Sequence, residues 1–122
     1  MNDTTLTDAV LLVITHLPDA DSADELAAAL VGERLAACVN VLPACRSVYR
    51  WQGEIERIEE VPLAIKTSAA CYAALEAAIR ARHPYELPEI VALPLQGLSD
   101  YLAWVVRETG AAAEPNAGAA TC

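Results

Sequence analysis

The sequence has few basic residues and no phenylalanine, and both features narrow the kind of protein it can be. Eight Lys and Arg stand against 17 Asp and Glu, which gives a formal net charge of −9. Phosphate backbones and anionic lipid surfaces are bound through stripes of positive charge, so neither nucleic acid nor a membrane is expected as a partner. Hydrophobic residues make up 55% of the chain. Without Phe, the core must be built from Leu, Val, Ile and Ala.

The chain also has no long apolar run and no paired-cysteine motif. The run at 9–14 is too short for a membrane span or a signal peptide, and no basic residue flanks it. Cys38, Cys45, Cys71 and Cys122 show neither CxxC nor zinc-type spacing. Reduced thiols are therefore expected rather than a disulfide framework. Together these absences predict a cytoplasmic protein.

What is present is one domain of alternating strands and helices. We expect it at 9–110, after an N-terminal extension at 1–8 and before a disordered tail at 111–122 that has no large apolar residue. The predicted elements are a strand at 10–14, a helix opened by a Ser22–Glu25 capping box, strands at 37–51 and 54–67, a helix capped by Ser68, a strand at 90–95 and a helix from Ser99.

This order of elements predicts an α+β fold, the ferredoxin-like βαββαβ antiparallel sheet with two helices on one face and an additional C-terminal helix. Gln52-Gly53 is typical of a hairpin turn between the two long strands, and Pro43 and Pro62 predict bulges or edge positions. The hairpin arms are longer than so small a domain can cover. Exposed strand edges and apolar side chains such as Trp51 then favour self-association.

Five segments together resemble the CutA family of divalent-cation tolerance proteins. In order between about residues 10 and 107, they are AACVN at 36–40, YRWQG at 49–53, EVPLAIKT at 60–67, HPYELPEI at 83–90 and YLAW at 101–104. The resemblance implies a homotrimer of ferredoxin-like subunits whose hairpins reach across to their neighbours. It also implies a role in tolerance to divalent cations, notably copper, and no enzymatic activity.

The resemblance implies a copper site that this sequence matches at one position. The family pattern has a Cys near the end of the first strand and a His-His pair before Pro-Tyr, where this chain has Thr15, Arg82 and His83. We take His83, Cys38 and Glu60 as candidate ligands for copper or zinc. We expect the metal ion to bind weakly and not to be a resident cofactor. Two structural readings stay open: Cys38 as a small buried apolar residue, and His83 as a residue that only hydrogen-bonds the end of the second helix.

Two other classes of function can be compared with this reading. The alternative is a trimeric small-molecule sensor similar to the PII signal proteins, although the chain has no Gly-rich phosphate loop. An acylphosphatase-type enzyme is disfavoured, because no Gly-rich basic loop follows the first strand. Tyr49 and Trp51 are predicted to pack at an interface rather than to form a ligand platform. Lys66 either pairs with an acid or an anion, or extends into solvent.

Overall fold

The computed structural model describes residues 9–110, and the predicted extension at 1–8 and tail at 111–122 lie outside the described residues. The elements are β1 (Val10–Leu17), α1 (Ala20–Gly32), β2 (Cys38–Val41), β3 (Cys45–Trp51), β4 (Glu54–Ser68), α2 (Tyr72–Arg82), β5 (Val91–Leu95) and α3 (Ser99–Glu108). A short 3₁₀ turn at Ala69–Cys71 precedes α2. No helix in this part of the chain is long and apolar enough to cross a membrane.

The strands form an antiparallel sheet in the order β2-β4-β1-β5, and β3 pairs with the first half of β4. The first and last strands of the βαββαβ unit are therefore neighbours, as the ferredoxin-like topology requires. The predicted fold class is confirmed. β1 lies in the interior of the sheet, which accounts for its nearly continuous apolar sequence.

One face of the sheet is covered by α1 and α2, and it holds the core. The core side chains come from alternate positions of β1 and β4 and from the inner stripes of both helices. The main contributors are Val13, Leu17, Leu26, Leu30, Leu63, Ile65, Leu75 and Ile79. All of these are nearly or fully inaccessible to solvent.

The opposite face, which we call the open sheet face, carries Leu12 and Ile14 of β1 and Val91 and Leu93 of β5, which pair directly across the two strands. Val91 and Leu93 are 47% and 53% exposed. An apolar sheet face left this exposed in a single chain is typical of a surface that another molecule covers. His16 continues the same face at the end of β1.

The starts of α1 and α2 differ from the predictions. Asp19, not Ser22, caps α1: its carboxylate accepts the backbone N–H of Ser22 at 2.8 Å and the Ser22 hydroxyl at 2.6 Å. Those two hydrogen bonds also lower the pKa of Asp19. Ser68 caps nothing through its side chain, because pairing with Val10 of β1 makes it the last residue of β4.

The predicted strand at 37–51 is wrong in one respect, since it is interrupted at 42–44. Val41 pairs with Leu63, whereas Cys45 pairs with Glu60. Three residues on one side of the ladder therefore oppose two on β4, which is the residue count of a β-bulge. The proline in the middle of this segment has no N–H for the ladder, so the prediction that it marks a bulge is confirmed. We call the segment the 42–44 bulge.

The turn that joins β3 to β4 is the predicted two-residue hairpin turn. Gln52 and Gly53 have φ values of 50° and 84°. Two consecutive left-handed residues define the type I′ turn, whose twist matches the twist of the strands it joins. β4, with 15 residues, continues from this turn into the middle of the sheet.

The cysteines differ from the prediction of reduced thiols. Cys71 is fully buried and disulfide-bonded. Cys38 and Cys45 are free and half-buried. Spacing along the chain could not show this, because a disulfide depends on which residues the fold brings within reach of each other.

Candidate functional site

A cleft of about 780 Å³ lies between the β3 arm of the hairpin and the segment that leads from α2 to β5. Its lining consists of His16, residues 47–51, Glu60, residues 84–87 and Glu89. The volume falls in the range of small-molecule sites in proteins. Since β1, β3, β4 and one connecting segment all contribute, the cleft exists only in the folded chain.

The 42–44 bulge decides which hairpin side chains face this cleft. Opposite residues of an antiparallel pair share a face, and β3 places Cys45 opposite Glu60, Tyr49 opposite Glu56 and Trp51 opposite Glu54. Tyr49 and Trp51 therefore lie on the same side of the hairpin as Glu60. If these same residues paired continuously with β4 from Val41 onward, Tyr49 would lie opposite Ile55 and both aromatic side chains would turn to the other face.

His83 fixes the connecting segment against β1. Its Nδ1 accepts the backbone N–H of Tyr85 at 3.2 Å, so the neutral ring carries its proton on Nε2, which lies 2.7 Å from the carbonyl oxygen of His16. Burial lowers the pKa of His83 and so favours this neutral form. Both ring nitrogens are used within the chain. The ring's partners lie on β1 and in the connecting segment, not at the end of α2, which is where the structural reading of the sequence placed its hydrogen bond.

Glu60 lies at the centre of the polar part of the cleft and is only 6% exposed. Its Oε2 accepts the Tyr85 hydroxyl at 2.9 Å, and its Oε1 lies 3.5 Å from Nδ1 of His16. The same His16 nitrogen is 3.2 Å from Oε1 of Glu89. Burial, followed by the hydrogen bond to Glu60, raises the pKa of Tyr85, so its hydroxyl stays protonated and donates.

The three predicted metal ligands do not converge. Glu60 and His83 both contact Tyr85 and lie at one end of the sheet. Cys38 pairs with Lys66, six positions further along β4 than Glu60, which is roughly 20 Å at the usual strand rise. Within residues 9–110, no group of three or more His, Cys, Asp or Glu side chains is arranged to hold a metal ion.

Two further side chains from the sequence analysis have clear local environments. Lys66 donates to Oδ1 of Asn40 on the neighbouring β2, so it pairs with an amide rather than with an acid. Thr15 is fully buried on the helix-covered face, and its hydroxyl has no hydrogen-bond partner. This is the position where the resemblance places a cysteine.

Sequence reasoning did not identify His16, Tyr85 or Glu89 as members of this site. His16 lies one step from Thr15 on β1, so its side chain points to the opposite face of the sheet. That opposite face is the one that carries Glu60. The available signal was register: His16 pairs with Pro62, and Glu60 lies two positions away on the same face of β4.

The fold defines a class: small α+β domains with a ferredoxin-like sheet and an extended hairpin. Residues 11–108 match the family described as CutA1 divalent ion tolerance protein. The chain belongs to this family.

Individual relatives agree over most of the domain. The divalent-cation tolerance protein CutA of Thermus thermophilus is 45% identical over 100 residues, covering 81% of this chain and 97% of the relative. That of Pectobacterium atrosepticum is 43% identical over 106 residues, covering 86% and 96%. The solved structure of the Thermus thermophilus protein superimposes with a TM-score of 0.81 at 44% identity, covering 83% of this chain and 99% of that one.

The description of one similar solved structure names the cell compartment of that protein. It is described as the periplasmic divalent cation tolerance protein CutA from Archaeoglobus fulgidus, and it matches with a TM-score of 0.76 at 31% identity. The alignment covers 79% of this chain and 94% of that one.

Proposed function

We propose that the protein acts in tolerance to divalent cations, copper among them, as a homotrimer without enzymatic activity. The observation that carries the proposal is family membership across residues 11–108, which includes every described strand except the first residue of β1. The net charge of −9 supports it, because an acidic protein attracts cations.

Within the chain, the cleft is the place where we propose that a cation is contacted. The carboxylates of Glu60 and Glu89 and the imidazole of His16 meet there, and oxygen with imidazole nitrogen suits copper and zinc. Because these groups are not arranged as a complete ligand set, binding is weak, roughly micromolar or poorer. His83 contributes by holding Tyr85 against Glu60 rather than through a free ring nitrogen.

Calorimetric titration of copper and zinc into the protein tests this proposal. Glu60→Gln removes the central charge, and His83→Ala releases the segment that positions Tyr85, so both changes should weaken binding. Glu59→Gln is the matched control, because Glu59 is exposed and pairs with Arg46 on the other face of the hairpin. If Glu60→Gln and His83→Ala bind both metals as tightly as the unaltered protein, the cation site lies elsewhere.

The proposed self-association has two structural supports. The first is the open sheet face, where Leu93 is 53% exposed. The second is the hairpin, where Val48 and Ile55 are 53% and 61% exposed and β3 pairs only with β4 among the described strands. Contacts between unlike surfaces close into a ring when the rotation permits, which leaves no strand edge open. The number three comes from the family resemblance.

One observation favours the second candidate function, a small-molecule sensor. A cleft of about 780 Å³ is far larger than a bare ion needs, and aromatic and charged side chains share its lining. The two candidate functions predict different ligands for the cleft: a divalent metal ion for a tolerance protein and an organic molecule for a sensor.

The location of the protein in the cytoplasm stays a prediction. The Cys71 disulfide is a bond that oxidising compartments favour. Fractionation of the source cells with marker enzymes for each compartment is the direct measurement, and recovery of the protein with a periplasmic or secreted marker would contradict the prediction.

A further inference from the structure

We infer that the cleft binds a small organic cation, an amine or guanidine attached to an apolar body. This binding activity is separate from the contact with metal ions proposed above. It depends on three features of the lining: a buried carboxylate, aromatic walls, and a volume suited to an organic molecule.

The charges of the lining favour a cationic ligand. Three carboxylates, Glu60, Glu86 and Glu89, face one permanent positive charge, Arg50, with His16 as the only other basic group among the lining residues. The buried Glu60 matters most, because a charge with little access to water interacts more strongly with a ligand charge than an exposed one does. An anionic ligand would meet repulsion from all three carboxylates.

Aromatic side chains provide the complement for the apolar body. Tyr49 and Trp51, which the sequence predicted to pack at an interface rather than against a ligand, lie on the hairpin wall of the cleft. Tyr85 lies on the opposite wall, where its hydroxyl donates to Glu60. Tyr49 is near enough to Tyr85 to contribute to the raised pKa of that phenol. Ammonium and guanidinium groups are attracted to the faces of such rings, and the rings also pack against apolar groups.

The geometry favours an organic cation over a metal ion as the ligand that fills the cleft. No complete set of metal ligands occurs in the described part of the chain, and the cleft holds about 780 Å³. A ligand that joins a positive group to an aromatic or aliphatic body can contact Glu60 and the aromatic walls at the same time. Neither a metal ion nor an uncharged apolar molecule makes both contacts.

Calorimetry with 2-phenylethylamine as the probe and 2-phenylethanol as its uncharged counterpart tests the inference, in buffer with a chelator that removes metal ions. We expect the amine to bind about tenfold more tightly than the alcohol. Glu60→Gln should reduce amine affinity by about tenfold and leave alcohol affinity unchanged. Glu59→Gln, one position away on the exposed face, should bind both probes as the unaltered protein does.

Two further variants keep the test decisive if Glu60→Gln does not fold. Glu89 and Tyr49 are exposed side chains, so Glu89→Gln and Tyr49→Ala should fold, and each should weaken amine binding. The inference is overturned if the amine does not bind, if the alcohol binds equally well, or if none of the cleft variants lowers amine affinity. Because metal is absent throughout, each of these results leaves the copper and zinc titrations to be judged separately.

Discussion

Two buried threonines on neighbouring strands differ in whether the hydroxyl group has a hydrogen-bond partner. Thr67 of β4 donates to the carbonyl oxygen of Leu35 at 2.7 Å, whereas the Thr15 hydroxyl on β1 has no partner. We predict that Thr15→Val stabilises the protein by about 1 kcal/mol, because it removes a buried hydroxyl group that loses its hydrogen bonds to water on folding and makes none within the protein. Thr67→Val should destabilise by about 1–2 kcal/mol, because it breaks a buried hydrogen bond.

Urea unfolding of both variants at one fixed protein concentration measures the difference, and the fixed concentration removes effects of self-association. The two changes remove the same atoms from equally buried sites. Equal effects on the free energy of unfolding would therefore contradict the assignment of the hydrogen bonds.

His83 makes stability depend on pH in a stated direction. Burial lowers its pKa from the ordinary value of 6.5, so the unfolded chain takes up the proton at a higher pH than the folded chain does. Its contribution to stability is present above about pH 6.5 and is lost as the pH falls from there through the lower pKa of the folded state. His83→Gln, compared with the unaltered protein by urea unfolding at about pH 7.5 and about pH 5.5, should show a smaller loss on acidification. An equal or larger loss in the variant would contradict this role.

At the scale of elements, the hairpin turn offers a direct test of backbone conformation. Gly53 has a φ of 84°, a conformation that costs an L-residue about 1 kcal/mol. A Cβ at this position would meet no atom within 4 Å. Gly53→Ala should thus destabilise the protein by about 1 kcal/mol through backbone strain alone.

Gly32 is the matched control, because a Cβ there also meets nothing within 4 Å and the residue ends α1 with an ordinary φ. Gly32→Ala should be neutral or stabilise by up to about 1 kcal/mol, since alanine favours the helix. Thermal unfolding of both variants gives the comparison. If the Gly53→Ala protein is as stable as the Gly32→Ala protein, alanine at position 53 is not strained.

The same elements show what the sequence predicts and what it does not. Alternation and the Gln52-Gly53 turn predicted the hairpin, and the apolar run predicted β1, because both signals are local. The start of α1 was misplaced, because Asp19 and Ser22 are both good caps and the choice depends on where β1 ends. The cleft depends on the register between strands far apart in sequence, which no local pattern specifies.

At the scale of the whole molecule, we predict a homotrimer at micromolar concentration by light scattering. Leu93→Asp places a charge in the middle of the open sheet face and should weaken assembly. Ile55→Asp should also weaken it, because Ile55 is 61% exposed on the hairpin face opposite to that of Glu60. Val31→Asp is the control, because Val31 is exposed on α1, away from the open sheet face. A stable monomer would contradict the edge and surface arguments together, whereas a dimer would contradict only the number of subunits.

The 42–44 bulge lets the segment between Val41 and Cys45 change in length by one residue without changing which side chains line the cleft. Deletion of Ala44 would leave two residues opposite the two of β4 at 61 and 62, so the ladder would run regularly from Val41 to Cys45 and the hairpin would keep its pairing. Tyr49 and Trp51 would still lie on the face of Glu60, because opposite residues of an antiparallel pair share a face. When relatives are aligned, a one-residue gap between Val41 and Cys45 should therefore be weighed less heavily than a gap inside β3, which would change the pairing of the residues beyond it.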